Sequence, residues 1–165
     1  MRAGIAFGSN LGDRLALLQA ARRRLTSLPG VEPSLLSSPV YETEPIDCEP
    51  RAPRFLNAVM EIGYDGSAHD LLRELRQIEE ELGRPEAHPR NASRTIDLDL
   101  LYFGDEAIAE PELQLPHPRL AERRFVLEPL AEIRPDLILP EQSETVAALL
   151  EKLPQTPLVR LASEW

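Results

Sequence analysis

The sequence is poor in several residue types, and each shortage excludes a class of site. It has one cysteine, Cys48, which excludes an internal disulfide and a multi-cysteine metal site. It has one lysine, Lys152, and because Leu153 follows it, the chain has no Gly-Lys-Ser/Thr phosphate loop. A lysine Schiff base is not expected either. If this protein handles phosphates, it must use arginine, histidine, backbone amides or a metal ion.

Long apolar runs and an excess of positive charge are also missing. No apolar run approaches the 18 or so residues of a transmembrane helix, and the opening MRAGIAFGSN lacks the apolar region of a signal peptide. The net charge of −10 argues against a general nucleic-acid binder. We therefore expect a cytoplasmic protein that binds neither nucleic acid nor membrane. We also expect a monomer, with one domain over residues 1–165.

The hydrophobic pattern predicts alternating strands and helices. Strands alternate polar and apolar residues, whereas helices repeat apolar residues every three to four positions. The predicted strands are 3–8, 31–43, 55–64 and 94–103, and the predicted helices are 13–28, 67–82 and 143–152, with short helices over 116–139. This order is βαββαβ with a C-terminal helical extension. It predicts an α+β, ferredoxin-like fold, in which two helices cover one face of a mostly antiparallel four-stranded sheet.

The strand RTIDLDLLYF at 94–103 carries two aspartates, Asp97 and Asp99, inside an apolar run. Residues two apart in a strand share a face, so both carboxylates point together and Leu98 and Leu100 point into the core. One interpretation is an ordinary acidic, solvent-facing sheet surface. The other is a site for Mg²⁺, which prefers oxygen ligands and shares its shell with phosphates. Such a pair can hold two ions about 3.5–4 Å apart.

Cations are grouped on either side of these aspartates. Each arginine alone is explained as a solvated surface residue. Together they favour a polyphosphate–metal complex, because arginine binds phosphate through a two-pronged guanidinium. One group is Arg84, Arg90 and Arg94, and the other is His117, Arg119, Arg123 and Arg124.

Six segments, in order, carry a resemblance to a known family. They are GSNLGDR at 8–14, VYETEPI at 40–46, FLNAV at 55–59, IEEELGR at 78–84, SRTIDLDLLYFG at 93–104 and LPHPRLAERRFVLEPLAEI at 115–133. In this order and spacing they resemble the 6-hydroxymethyl-7,8-dihydropterin pyrophosphokinases. The resemblance covers nearly the whole chain.

The resemblance implies an enzyme of folate biosynthesis that transfers pyrophosphate from ATP to a pterin alcohol and releases AMP. It implies two Mg²⁺ ions bound by Asp97 and Asp99, with these two aspartates and two arginines, Arg84 and Arg94, as catalytic residues. The residues implied for ATP are Arg84, Arg94, Leu100, His117 and Arg123. Those implied for the pterin are Thr43, Pro45, Ile46, Phe55, Asn57 and Phe125.

Other interpretations stay open at this point. Paired strand aspartates also occur in nucleotidyl transferases with a polymerase-like palm, and the same scaffold serves as a non-catalytic regulatory module. The sequence pattern alone favours core packing for Phe55 and Phe125, and Gly8-Ser9-Asn10 is interpreted as a backbone turn. The chain departs from the family at Asn91, where a tryptophan is common. It also departs at Glu86, Ser93 and Glu112, where arginine, proline and a basic residue are common.

Overall fold

The computed structural model describes residues 1–45, 52–83, 95–155, 158–160 and 165. Within these ranges the chain forms eight strands, four α-helices and a short 3-10 helix at Leu120–Glu122. The strands are β1 (Arg2–Ser9), β2 (Val31–Ser37), β3 (Tyr41–Thr43), β4 (Phe55–Tyr64), β5 (Asp97–Phe103), β6 (Ile108–Ala109), β7 (Gln114–Leu115) and β8 (Leu158–Arg160). The helices are α1 (Arg14–Thr26), α2 (Ala68–Glu81), α3 (Arg124–Ile133) and α4 (Val146–Lys152).

The main sheet has the order β5-β1-β4-β3-β8, and β2 pairs with the far end of β4. All its strand pairs are antiparallel. The central strands β1 and β4 are the ones predicted at 3–8 and 55–64. The predicted α+β, ferredoxin-like arrangement is confirmed.

One face of the sheet packs against α1 and α2. Residues alternate along each strand, so β1 directs Ile5 and Phe7 into this core and β4 directs Met60 and Ile62 into it. Helix α2 begins with a capping box, in which Ser67 and Asp70 each accept a hydrogen bond from the other's backbone N–H. The cap fixes where the helix starts, and its apolar stripe then meets the sheet. The predicted helices are confirmed.

The opposite face is covered along part of its length by the C-terminal extension. Helices α3 and α4 bring Val126, Leu130 and Val146 into a second apolar cluster with Val59 and Tyr102 of the sheet. The rest of this face, near the start of β5 and β4, is not covered by these helices. This arrangement leaves an opening over the aspartate-bearing end of the sheet.

Two parts of the prediction need correction. The strand expected over 31–43 is two strands, β2 and β3, with a break at 38–40. Pro39 lies in the break, and proline has no N–H to donate to a ladder. The C-terminal extension also contributes a strand, β8, which pairs with β3 and which the sequence pattern did not predict because it is only three residues long.

Among the helices that the structure describes, none is long and apolar enough to cross a membrane.

Candidate active site

A cleft opens on the sheet face opposite α1 and α2, where β1, β4 and β5 lie side by side. It is lined by residues of those strands, of β3 and of the start of α3. The strand register explains the convergence, because Gly8 pairs with Asn57 on one side and with Asp97 on the other. The side chains that matter most here are Thr43, Phe55, Asn57, Asp97, Asp99, Arg123 and Phe125. We call it the sheet-face cleft.

A second cleft lies at the outer edge of β5 and shares Asp97 and Asp99 with the first. Its wall is α2, and its other side is the segment from 111 to 118 that contains β7. Apolar side chains Leu72 and Leu100 line it together with the polar groups of Arg76, Glu79, Glu112, Gln114 and His117. We call it the edge cleft. The two aspartates therefore stand where two differently lined clefts meet.

Gly8 forms the floor of the sheet-face cleft. A methyl group added at its Cα would lie 3.5 Å from the Asn57 Oδ1 atom, 3.8 Å from the Asp97 Cβ and 4.0 Å from a ring carbon of Phe55. These are ordinary contact distances, so the position has room for a side chain only at the expense of the cleft. Glycine keeps this floor open.

Ser9 and Asn10, which follow Gly8, hold both flanks of the site. The Ser9 hydroxyl donates to the carbonyl oxygen of Thr95 at 2.5 Å, two residues before Asp97. The Asn10 amide donates to the carbonyl oxygen of Pro53 at 3.3 Å. Pro53 lies two residues before Phe55, which lines the cleft. The side chains of Ser9 and Asn10 are buried. The motif is therefore more than the expected backbone turn, since it ties β1 to the segments that lead into β4 and β5.

A buried polar pair lies beside the glycine floor. The Asn57 side-chain N–H donates to the Thr43 hydroxyl oxygen at 2.7 Å, and both residues are nearly inaccessible to solvent. A buried amide without a partner is costly, so this bond fixes the amide orientation. The Asn57 oxygen then faces the cleft above Gly8, and the Thr43 hydroxyl keeps its own proton to donate.

Arg123 links the acids to the aromatic wall. Its guanidinium lies 3.6 Å from the Asp99 carboxylate, and it also lies over the Phe125 ring, 5.6 Å from the ring centre. The neighbouring Arg124 does not join it. Arg124 pairs with Glu128 at 2.7 Å and donates to the Leu153 carbonyl at 3.4 Å, so it ties α3 to the end of α4. The expected grouping of both arginines around the aspartates is wrong for Arg124.

His117 lines the edge cleft, and its surroundings favour the neutral imidazole. Burial lowers its pKa to about 4, and the nearby positive charge of Arg123 acts in the same direction. Its Nδ1 atom accepts the backbone N–H of Arg119 at 3.2 Å, which leaves the proton on Nε2. At neutral pH the ring can therefore donate a hydrogen bond without carrying a charge.

Of the other expected site residues, the structure describes Leu100 and Pro45. Leu100 lines the edge cleft as expected. Pro45 does not line the sheet-face cleft, whereas its neighbour Glu44 does, in an ion pair with Arg54 at 2.5 Å. Ile46, the loop arginines Arg84, Arg90 and Arg94, and three of the departing positions, Glu86, Asn91 and Ser93, lie outside the described residues.

The donor set fits a hard cation. Asp97 and Asp99 supply carboxylate oxygens from one strand face at the junction of the clefts. In the part of the chain that the structure describes, no cluster of three or more His, Cys, Asp or Glu side chains forms a metal site. The two carboxylates that the described residues bring together suit Mg²⁺, which keeps waters and takes substrate phosphates. A zinc site would need more protein ligands.

Comparison with known proteins gives consistent similarities. Residues 4–135 match the family model described as 7,8-dihydro-6-hydroxymethylpterin-pyrophosphokinase (HPPK). The chain is 46% identical over 129 residues to the 2-amino-4-hydroxy-6-hydroxymethyldihydropteridine pyrophosphokinase of Bacillus subtilis, covering 78% of this chain and 75% of that protein. It is 38% identical over 160 residues to the protein of the same name from Methylorubrum extorquens, covering 97% of this chain and 98% of that one.

Similarity also extends to longer proteins. The chain is 39% identical over 150 residues to the folic acid synthesis protein fol1 of Schizosaccharomyces pombe, covering 91% of this chain but only 20% of that protein. It therefore spans about a fifth of the length of such relatives. Among solved structures, wild-type HPPK-DHPS of Plasmodium falciparum with SDX-DHP superposes with a TM-score of 0.72 at 14% identity, covering 92% of this chain and 44% of that one. This last likeness supports the fold.

Proposed function

The chain belongs to the 7,8-dihydro-6-hydroxymethylpterin-pyrophosphokinase family, and on this premise we propose which substrates it uses and which residues act on them. The reaction is the transfer of a pyrophosphoryl group from ATP to the hydroxymethyl group of 6-hydroxymethyl-7,8-dihydropterin, with release of AMP, as a step of folate biosynthesis. The observation that carries the proposal is that two clefts meet at Asp97 and Asp99. A reaction between two substrates needs such a junction.

The sheet-face cleft takes the pterin. A pterin is a flat heterocycle with an amide-like edge, and the rings of Phe55 and Phe125 offer faces for stacking. The oxygen of Asn57 and the hydroxyl of Thr43, fixed by their mutual hydrogen bond, meet the polar edge of the ring. A site built to pair such groups rejects rings that lack them. Pro45 and Ile46 stay predicted pterin-binding residues on the basis of the sequence resemblance alone.

The edge cleft takes the nucleotide. Leu72 and Leu100 offer apolar contact to a purine base. His117 donates its Nε2 proton to a phosphate oxygen as a neutral group, and Arg123 adds a positive charge on the side where the two clefts meet. Arg84 and Arg94 are assigned to the triphosphate from their position in the sequence.

Asp97 and Asp99 hold two Mg²⁺ ions in this proposal, and such ions supply neutralisation of phosphate charge and orientation of the triphosphate. The chain's own groups do the rest. The sheet-face cleft aims the pterin hydroxyl oxygen at the β-phosphorus. A bond forms between these atoms, and the bond from the β-phosphorus to the oxygen bridging to the α-phosphorus breaks. The hydroxyl proton passes to water, and AMP carries away the electron pair of the broken bond.

Among the described residues of the edge cleft, Glu112 departs from the family, and Arg76 lies beside it. Glu112 stands where a basic residue is common. Arg76 of α2 donates to the Glu112 carbonyl oxygen at 3.4 Å and lines the same cleft. A cation is therefore present at this place, supplied from the helix. We assign Arg76 to the nucleotide site on this basis.

The test is a direct assay with three product readouts. Purified protein is mixed with ATP, MgCl₂ and 6-hydroxymethyl-7,8-dihydropterin, and the phosphorus products are followed by ³¹P NMR. The expected result is AMP and a pterin diphosphate in equal amounts, with no AMP when 6-methyl-7,8-dihydropterin, which lacks the hydroxyl, replaces the substrate. ADP as the main product indicates a simple kinase, and free pyrophosphate indicates nucleotidyl transfer. Either product overturns the proposal.

The monomeric state and the cytoplasmic location remain predictions. Sedimentation at several protein concentrations tests the first.

A further inference from the structure

A buried carboxylate on α2 has no role in the reaction described above. Glu79 is only 7% exposed, on the buried side of the helix next to Leu75 and Ile78. Removing a carboxylate from water is costly unless other groups compensate it. It also lines the edge cleft, where a third acid beside two aspartates disfavours a triphosphate by Coulomb repulsion. An acid that is costly on both counts needs a structural or functional reason.

The contact that Glu79 makes supplies this reason. Its Oε1 atom accepts the backbone N–H of Leu98 at 2.7 Å. That distance lies at the short end of the range for N–H···O hydrogen bonds. Leu98 stands between the two aspartates, so Glu79 holds the backbone at the centre of the acidic pair.

The position of β5 in the sheet makes this bond important. β5 is the last strand on its side of the sheet among the described residues, so only β1 pairs with it. Successive amides in a strand point to opposite edges. Asp97 and Asp99 therefore face the β1 ladder with their backbone groups, and the Leu98 amide faces outward. Glu79 supplies the acceptor that a further strand would otherwise supply.

Two further contacts of the described residues hold the ends of β5. Ser9 holds the Thr95 carbonyl ahead of the strand, and the His117 N–H holds the Leu101 carbonyl near its far end. Glu79 holds the outer edge of β5 between these two points. A metal site requires its ligands to stay within about 0.5 Å of the productive geometry.

We infer that Glu79 is a positioning residue, which fixes Asp97 and Asp99 by holding the Leu98 amide. The inference rests on the proposed function only in its kinetic consequences. The hydrogen bond and its effect on β5 are independent of which reaction the site performs.

The test compares two substitutions with a matched control. Glu79→Gln keeps an oxygen that accepts the Leu98 N–H, and Glu79→Ala removes it. Glu80→Ala, at the exposed neighbouring position on α2, is the control. We measure hydrogen exchange of the Leu98 amide by NMR without metal or substrate. We then measure the Mg²⁺ concentration for half-maximal AMP formation, separately from kcat and from the KM for the pterin.

The expected result separates the variants. In Glu79→Ala the Leu98 amide exchanges at least about tenfold faster, and half-saturation by Mg²⁺ requires about 10–100-fold more metal, as for lost outer-shell partners of other metal sites. The KM for the pterin stays within about twofold. Glu79→Gln and Glu80→Ala stay close to wild type in both readouts. A merely structural role would lower stability without changing the metal dependence of the folded fraction.

Three outcomes overturn the inference. They are an unchanged Leu98 exchange rate in Glu79→Ala, an unchanged Mg²⁺ dependence in that variant, and a Glu79→Gln variant as impaired as Glu79→Ala. The last would mean that the charge matters and the acceptor does not. If Glu79→Ala does not fold, Glu79→Gln is compared with wild type, and faster Leu98 exchange with a raised Mg²⁺ requirement in that variant overturns the inference. Failure of the proposed function looks different, because the wild-type protein then forms no AMP while the exchange result for Leu98 is unaffected.

Discussion

Two places on the same face of the sheet carry acids, and their surroundings differ. Glu61 of β4 is completely buried, and it accepts the Tyr102 hydroxyl at 2.6 Å and pairs with Arg134 at 3.4 Å and Arg2 at 3.6 Å. Asp99 of β5 keeps 34% of its side chain exposed, and the Arg123 guanidinium beside it belongs to the same open cleft. Glu61 is enclosed by the protein, whereas Asp99 faces the sheet-face cleft.

The difference shows that an acid in a strand is not by itself a sign of function. At Glu61 the protein supplies the hydrogen-bond donor and the cations. Burial, together with the hydrogen bond to Glu61, raises the pKa of Tyr102 above its ordinary value. At Asp97 and Asp99 the C-terminal extension stops short, so ligands from outside can reach the carboxylates. The end of α3 lies against Glu61 through Arg134, and the start of the same helix borders the cleft at Asp99.

The largest expected effect comes from removing Asp97 or Asp99, the acids that face the open cleft. Asp97→Ala or Asp99→Ala should reduce kcat/KM for AMP formation by at least about 10²–10³-fold, the loss seen when one electrostatic partner of a transition state is deleted. Binding of the pterin alone, followed by fluorescence, should survive in part because stacking on the phenylalanines does not need the acids. Undiminished turnover in either variant would contradict the metal assignment.

Substitution of the enclosed acid, Glu61, should instead lower stability and leave activity nearly unchanged. Glu61→Ala leaves the buried Tyr102 hydroxyl without its acceptor. Because Arg2 and Arg134 are partly exposed, water can replace their pairing with Glu61, and the expected loss is about 1–3 kcal/mol of unfolding free energy. Urea denaturation measures this loss. The kcat/KM of the folded fraction should stay within about twofold of wild type. A stable but inactive Glu61→Ala protein would refute the distinction between the two places.

Two glycines on one face of β1 sharpen the comparison. A methyl group at Gly4 would overlap the Tyr102 ring in the closed region, so Gly4→Ala should destabilise the protein by about 1–3 kcal/mol, the usual cost of overpacking. A methyl group at Gly8 meets only ordinary contacts at the cleft floor. Gly8→Ala should therefore fold normally and raise the KM for the pterin roughly tenfold, with the KM for ATP unchanged. Equal loss of stability in both variants would argue against an open floor at Gly8.

The smallest expected effect concerns acid stability. The folded-state pKa of His117 is lowered to about 4 from its ordinary 6.5, mainly by burial. The unfolded chain therefore binds a proton more readily, and the contribution of His117 to stability is present above pH 6.5 and lost as the pH falls towards 4. In His117→Asn, unfolding free energies measured across this range should decline less steeply than in wild type. An identical slope in both proteins would show that His117 titrates normally.

The sequence predicted those parts of the site that depend on local order. Alternation along β5 was enough to place Asp97 and Asp99 together on the face opposite the core, and the Ser67–Asp70 cap was enough to start α2. The order of strands and helices then predicted the sheet. These features need only the positions of neighbouring residues in the chain.

Features that depend on distant contacts were missed. Glu79 lies within a run of three acids, Glu79-Glu80-Glu81, and only the packing of α2 against β5 shows that the first of them is buried. The opening above Gly8 depends on the register of three strands, which composition does not reveal. Arg123 and Arg124 are adjacent in the sequence, and the first turn of α3 directs them to different partners.

Metal binding at the open acids is the central claim, and Mn²⁺ titration followed by electron paramagnetic resonance tests it most directly. The protein is titrated with Mn²⁺ in the presence of a non-hydrolysable ATP analogue, using wild type, Asp97→Asn and Glu61→Gln. We predict that wild type and Glu61→Gln bind Mn²⁺ in the complex with similar affinity, and that Asp97→Asn binds it at least about tenfold more weakly. Equal affinity in wild type and Asp97→Asn would contradict the account.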